Sequence, residues 1–92
     1  MSEPTAQARV TILNERGLHA RAAAKLVKLA SRYDAEVTVI MNGEKVSGAS
    51  IMGLMMLAAA PGCELELHAK GPEAREVIAA LSGLVAKKFD ED

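Results

Sequence analysis

Aromatic residues are nearly missing from this chain. Tyr33 and Phe89 are the only two, and there is no tryptophan. The stacking platforms that single-strand nucleic-acid binders use are therefore excluded. An excess of either charge is missing as well: eleven basic residues face twelve acidic ones, for a formal net charge of -1. Binding to a phosphate backbone calls for a clear basic excess, so no nucleic-acid partner is expected. Cys63 has no second cysteine to pair with, which rules out an internal disulfide and fits a reducing compartment. A metal site would need two or three further ligands beside a histidine, and with one cysteine and no pair at ligand spacing between His19 and His68, no metal is expected. A long hydrophobic run is missing too. The most apolar stretch, Ile51 to Pro61, is far shorter than the ~20 residues that cross a bilayer. The opening residues Met1-Ser2-Glu3-Pro4-Thr5 lack a basic start followed by an apolar segment, so no secretory leader is expected. A soluble, cytoplasmic protein is the default.

What is present is aliphatic. Half of the 92 residues are apolar, mostly Ala, Val, Leu, Ile and Met. That length makes one domain, residues 1–92, with an ordered core over about 8–89 and frayed polar ends at Met1–Gln7 and Asp90–Asp92. Ala8 to Leu13 alternates as a strand, and Asn14-Glu15-Arg16-Gly17 breaks it. From Ala20 to about Arg32 the period is helical, with Ala23, Leu26, Val27 and Ala30 on one face and Tyr33 extending it. Glu36–Met41 and Glu44–Ser47 are strands joined by Asn42-Gly43, a two-residue hairpin turn, so the two run antiparallel. A short helix runs from Ile51 to about Ala58, and Pro61-Gly62 stops it. Cys63–Ala69 alternates cleanly as a fourth strand. Gly71-Pro72-Glu73 opens a last helix whose stripe is Ala74, Val77, Ile78, Leu81, Leu84 and Val85. The order β-α-β-β-α-β-α gives an α+β fold: an open-faced two-layer sandwich, with a four-stranded antiparallel sheet covered on one face by three helices.

The residues able to carry chemistry are few. His68 is in phase with Glu64 and Glu66, so it is read as a solvated strand residue. His19 differs, because it follows a glycine turn and directly precedes the helical residues Ala20 and Arg21. There it lies over the free N–H groups of a helix start, which bind anions and disfavour an imidazolium. The same amides, that of Ala20 included, would hold phosphoryl oxygens, and Arg21 adds a forked guanidinium suited to them. A simple surface histidine remains an alternative on local sequence alone. Arg21, Lys25, Lys28 and Arg32 share a helix face, either as a solvated surface or as a basic strip that docks an acidic partner. In the short middle helix Leu54, Leu57 and Ala58 form one stripe, with Met52, Met55 and Met56 roughly opposite and Ile51 between. One side of so short a helix must stay exposed, and Met-rich exposed surfaces receive partners. Ser50 is an N-cap candidate where a phosphate would also be tolerated.

Asn14-Glu15-Arg16-Gly17-Leu18-His19-Ala20-Arg21 and Ser50-Ile51-Met52-Gly53, set in this element order, resemble the HPr family of the bacterial phosphoenolpyruvate-dependent phosphotransferase system. The resemblance covers Ala8 to about Phe89. It implies that His19 is phosphorylated on Nδ1 by phospho-Enzyme I and passes the group to a downstream acceptor protein, with Arg21 assisting. It implies that Ser50 matches the position modified by HPr kinase in bacteria that possess one. It also implies that Ile51, Met52 and Met55 match docking positions, with Lys25 and Lys28 as further candidates from the basic strip. No cofactor is implied, and a monomeric carrier rather than a turnover enzyme is expected. Two departures stand out. Many relatives have Pro where this chain has Ala22, and many have Lys where it has Ala49. The segment Ser50–Ala59 looks like HPr variants from bacteria with few sugar permeases, where the carrier often feeds a nitrogen-related branch. Two readings from other classes stay open: a regulatory binding protein acting through Ser50 and the Met52/Met55 surface, and a generic small ligand-binding domain. The second lacks a glycine-rich phosphate loop or convergent polar pocket.

Overall fold

In the computed structural model, which describes residues 3–91, alternation of inward and outward side chains builds β1 at Thr5–Thr11. Helix α1 follows at Ala20–Ala30, then strands β2 (Glu36–Met41) and β3 (Glu44–Ser47), joined by the hairpin at Asn42-Gly43. Both turn residues take positive φ, 50° and 83°, as a two-residue hairpin of this kind demands. A short helix α2 (Ile51–Met56), strand β4 (Glu64–Lys70) and helix α3 (Ala74–Ala86) complete the order. The strands form one antiparallel sheet in the spatial order β1-β4-β2-β3.

Register decides which face is dry. Val10 lies opposite Leu65, Ala8 opposite Leu67 and Ala6 opposite Ala69, while Val39 and Val37 flank Leu67 and Ala69 from the other side. These side chains meet Leu26 of α1, Leu54 of α2, and Val77, Leu81 and Val85 of α3 in one core. Each fully buried Leu or Val there contributes about 1.5–3 kcal/mol relative to exposure. Ala22 and Ala23 are buried on α1, and their small side chains let that helix approach its neighbours closely. The other sheet face is wet: Arg9 reaches Glu66 at 3.2 Å, and His68 Nε2 lies 3.2 Å from the second oxygen of the same carboxylate. His68 is thus a partly exposed strand residue among polar neighbours.

Several boundaries differ from the sequence expectation. Thr5–Gln7, expected to fray, belong to β1 and pair with Lys70, Ala69 and His68. Thr5 and Gln7 face the wet side, which is why the segment looks like a polar tail. Leu13 lies beyond the strand and is exposed. Helix α1 stops at Ala30 rather than near Arg32, because bonds from Arg32 N to Leu29 O and from Tyr33 N to Ala30 O tighten the exit to an i to i−3 pattern. Helix α2 ends at Met56, and Ala58, expected on its inner stripe, is exposed with φ of 53°. Strand β4 starts one residue after Cys63, and α3 begins only after the turn at Gly71-Pro72-Glu73. At the far end, Asp90 and Glu91 do not fray. Lys88, Phe89 and Asp90 form a left-handed turn with φ of 57°, 55° and 60°, and Phe89 is fully buried. Of the rest of the expected frayed ends, Glu3 and Pro4 are exposed, with Pro4 O accepting from Gly71 N at 2.9 Å, while Met1, Ser2 and Asp92 lie outside the described residues.

Candidate functional site

His19 occupies the N-cap of α1 in extended backbone, and its side chain makes no capping bond. The first helical bond runs from Ala23 N to the His19 carbonyl at 2.8 Å. The amides of Ala20, Arg21 and Ala22 therefore have no acceptor within the helix, and they carry the positive end of its dipole. The loop that delivers His19 is clamped from behind. Gly17 adopts φ of 64°, and Leu18 N donates to Ala59 O at 2.9 Å. A Cβ on Gly17 would lie 2.2 Å from that same oxygen, so only glycine fits.

The imidazole is neither sealed in the core nor fully free, with a quarter of the side chain exposed. Its Nε2 hydrogen-bonds Glu91 Oε2, and Glu91 is itself only 17% exposed. Asn14, buried just before the Gly17 turn, donates from Nδ2 both to Gly17 O at 2.8 Å and to Glu91 Oε1 at 3.0 Å. Both carboxylate oxygens are thus occupied. The hydrogen bond from His19, followed by that from Asn14, holds the Glu91 carboxyl below its ordinary value of 4.5, with the Arg16 charge adding to the effect. Lys25 Nζ donates to Phe89 O at 2.6 Å and ties the left-handed turn to α1.

Beside His19 lies a groove lined by Glu15, Arg16, Arg21, Lys25, Asp90 and Glu91. Arg21 is exposed there and, among the described residues, forms no ion pair. Its guanidinium is available to an arriving anion. Of the expected basic strip, Lys28 and Arg32 are exposed, whereas the Lys25 ammonium is committed to the Phe89 carbonyl. Ser50 is the N-cap of α2, its Oγ accepting from Gly53 N at 2.9 Å. Leu54 and Leu57 face the core, while Met52 and Met56 are 70% and 75% exposed beside the partly exposed Ile51 and Met55. Three participants went unread in the sequence: Glu91, the role of Asn14, and Lys25 as a tether. The available signal was Phe89, a lone large aromatic set in an otherwise polar end.

A family model for the HPr component of the phosphotransferase system, described as its phosphorylation site, matches residues 6–87. The chain belongs to the HPr family. HPr-family relatives include the phosphocarrier protein HPr of Pseudomonas aeruginosa, 51% identical over 89% of this chain and 92% of its own length. The phosphocarrier protein NPr of Shewanella violacea is 49% identical over 89% of this chain and 90% of its own. Among solved structures, an HPr from Thermoanaerobacter tengcongensis superposes with a TM-score of 0.90 at 38% identity, covering 95% of this chain and 98% of that one. The chain is accordingly an HPr/NPr-type phosphocarrier of the phosphotransferase system, and its open-faced sandwich is the HPr fold. Among the described residues no group of three or more His, Cys, Asp or Glu could hold a metal ion, and no helix is long and apolar enough to cross a membrane.

Proposed function

We propose that His19 is the phosphoryl-carrying residue: it accepts the group from phospho-Enzyme I, for which phosphoenolpyruvate is the ultimate donor, and yields it to a downstream acceptor protein. The observation that carries this reading is the quarter-exposed His19 side chain at a helix start whose first amides have no helical acceptor. Phosphoryl transfer asks chiefly for positioning and charge stabilisation. Arg21 and the amides around Ala20 supply the second, steadying the equatorial oxygens as the donor's phosphohistidine approaches in line. The exposed Ile51, Met52 and Met55 surface, with Lys28 nearby in the chain's basic set, docks the protein partners. Lys25 contributes through the tether it makes rather than as a free cation. The carrier works as a soluble cytoplasmic monomer whose interfaces are small enough to release quickly. Relatedness to both HPr and NPr proteins supports a sugar-permease component or a nitrogen-branch regulator as the acceptor.

With phosphoenolpyruvate and Enzyme I supplied, wild type should take up acid-labile label and His19→Ala should take up none. Equal labelling of the two would reject the reading. A second, regulatory role is favoured by the cap at Ser50, which lies against the methionine surface on the same short helix. Phosphorylation of Ser50 by an HPr kinase would add charge beside that surface without melting the helix. A Ser50→Asp form should then accept phosphate from Enzyme I more slowly, and an unchanged rate would remove this role.

A further inference from the structure

We propose that Glu91 is a positioning residue for His19, holding the ring proton on Nε2 so that Nδ1 is left as the nucleophilic nitrogen. The inference rests on His19 being the phosphoryl acceptor. An ionised carboxylate can only accept hydrogen bonds, so the nitrogen facing it must carry the proton. A neutral imidazole has one N–H, and fixing it on one nitrogen leaves the lone pair on the other. Glu91 Oε2 faces Nε2, and the carboxylate does not drift, because Asn14 Nδ2 grips its other oxygen at 3.0 Å. Asn14 is in turn fixed by donating to Gly17 O at 2.8 Å. The segment carrying Glu91 is anchored by the buried Phe89 ring and by Lys25 Nζ on the Phe89 carbonyl. Three residues in left-handed backbone persist only where such tertiary contacts hold them.

The transfer step then needs no proton movement. The Nδ1 lone pair forms a bond to phosphorus as the bond between phosphorus and the nitrogen of the donor's phosphoimidazolium breaks, and the donor ring, which keeps the proton on its other nitrogen, leaves as neutral imidazole. The His19 ring, keeping its Nε2 proton, becomes a phosphoimidazolium whose positive charge faces the Glu91 carboxylate. Passing the group onward is the reverse process with a new acceptor, and His19 returns to the Nε2–H form.

The hydrogen-bond pattern makes one variant sharper than simple truncation. In Glu91→Gln, Asn14 Nδ2 still requires an oxygen opposite it. Flipping Asn14 would set its oxygen against Gly17 O, so the glutamine must present its oxygen to Asn14 and its NH2 to His19. That arrangement demands an unprotonated Nε2 and moves the proton to Nδ1, blocking the nucleophile. Glu91→Ala imposes no such reversal. Glu91→Gln should therefore be the more damaging change, the opposite of what a mere tether for the segment would give. The experiment compares wild type, Glu91→Gln, Glu91→Ala and His19→Ala. Ring nitrogen NMR at about pH 9, where imidazole is neutral, reports the tautomer, and rapid-quench labelling by phospho-Enzyme I reports uptake. Expected are an Nε2–H ring in wild type, a shift to Nδ1–H in Glu91→Gln with uptake slowed roughly ten-fold or more, and a smaller loss in Glu91→Ala. An unchanged tautomer in Glu91→Gln, or Glu91→Ala slowed as much as Glu91→Gln, overturns the assignment of Glu91 while leaving His19 as carrier. Normal labelling of His19→Ala overturns the underlying reading instead.

Discussion

Replacing Gly17 with alanine tests whether the loop behind His19 is built as described. The added Cβ would sit 2.2 Å from Ala59 O and 3.2 Å from both Ala59 C and Ala60 Cα. All three are backbone atoms, and the oxygen is more than an ångström closer than the ~3.5 Å of a favourable contact. The Ala59 segment must retreat, and with it goes the 2.9 Å bond from Leu18 N. Left-handed backbone costs alanine about 1–2 kcal/mol. Losing the hydrogen bond costs about 1 kcal/mol, and accommodating the extra carbon about 1–3 kcal/mol. The total, about 3–6 kcal/mol, is a large fraction of the roughly 5–14 kcal/mol expected for a chain of this length. Gly62→Ala is the control. Its φ is 90°, but nothing lies within 4 Å of the added carbon, so it should lose only the backbone part. Urea unfolding should show Gly17→Ala about 1–2 M below Gly62→Ala in midpoint, taking a slope of about 2 kcal/mol per molar. Equal midpoints would refute the close approach of Gly17 to Ala59.

Phe89→Ala should cost about 3–5 kcal/mol, read by thermal unfolding, because the ring is fully buried. A loss under about 1 kcal/mol would mean that the turn at Lys88–Asp90 is not docked. Ser50→Ala removes the acceptor for Gly53 N and should cost about 1 kcal/mol in urea unfolding, whereas Ser50→Asp keeps a cap. Acidification should release Glu91. Its folded value lies below 4.5, so its contribution is complete above the unfolded value and is lost as pH falls through the folded one. Carboxyl carbon NMR should place the Glu91 midpoint below 4.5, and a midpoint at or above that value would argue against the contact with His19.

The parts of the fold that follow from local rules were legible. Leu65, Leu67 and Ala69 alternate with Glu64, Glu66 and His68, and that alone fixes the inner face of β4. Asn42-Gly43 names its turn, and Ser50 its cap. The N-cap place of His19 was also readable, from the Gly17 turn and the helical run after it. What escaped depends on contacts between distant segments. The first half of β1 is held by its ladder to β4, and its polar side chains gave no apolar pattern to notice. Helix α1 was read too long because Tyr33 keeps the apolar phase after the backbone has already tightened. Glu91 lies 72 residues from His19 and reaches it through three consecutive left-handed residues, a run that no propensity of Lys or Phe suggests. Burial of Phe89 and the bond from Lys25 hold that turn, and both are tertiary contacts.

The most direct test of the account is to locate the phosphoryl group on the loaded protein. Phosphorus–nitrogen coupling in protein labelled with nitrogen-15, after loading with phosphoenolpyruvate and Enzyme I, should show one bond from phosphorus to Nδ1 of His19. A phosphoryl group on Nε2, on His68, or on no histidine at all would contradict it.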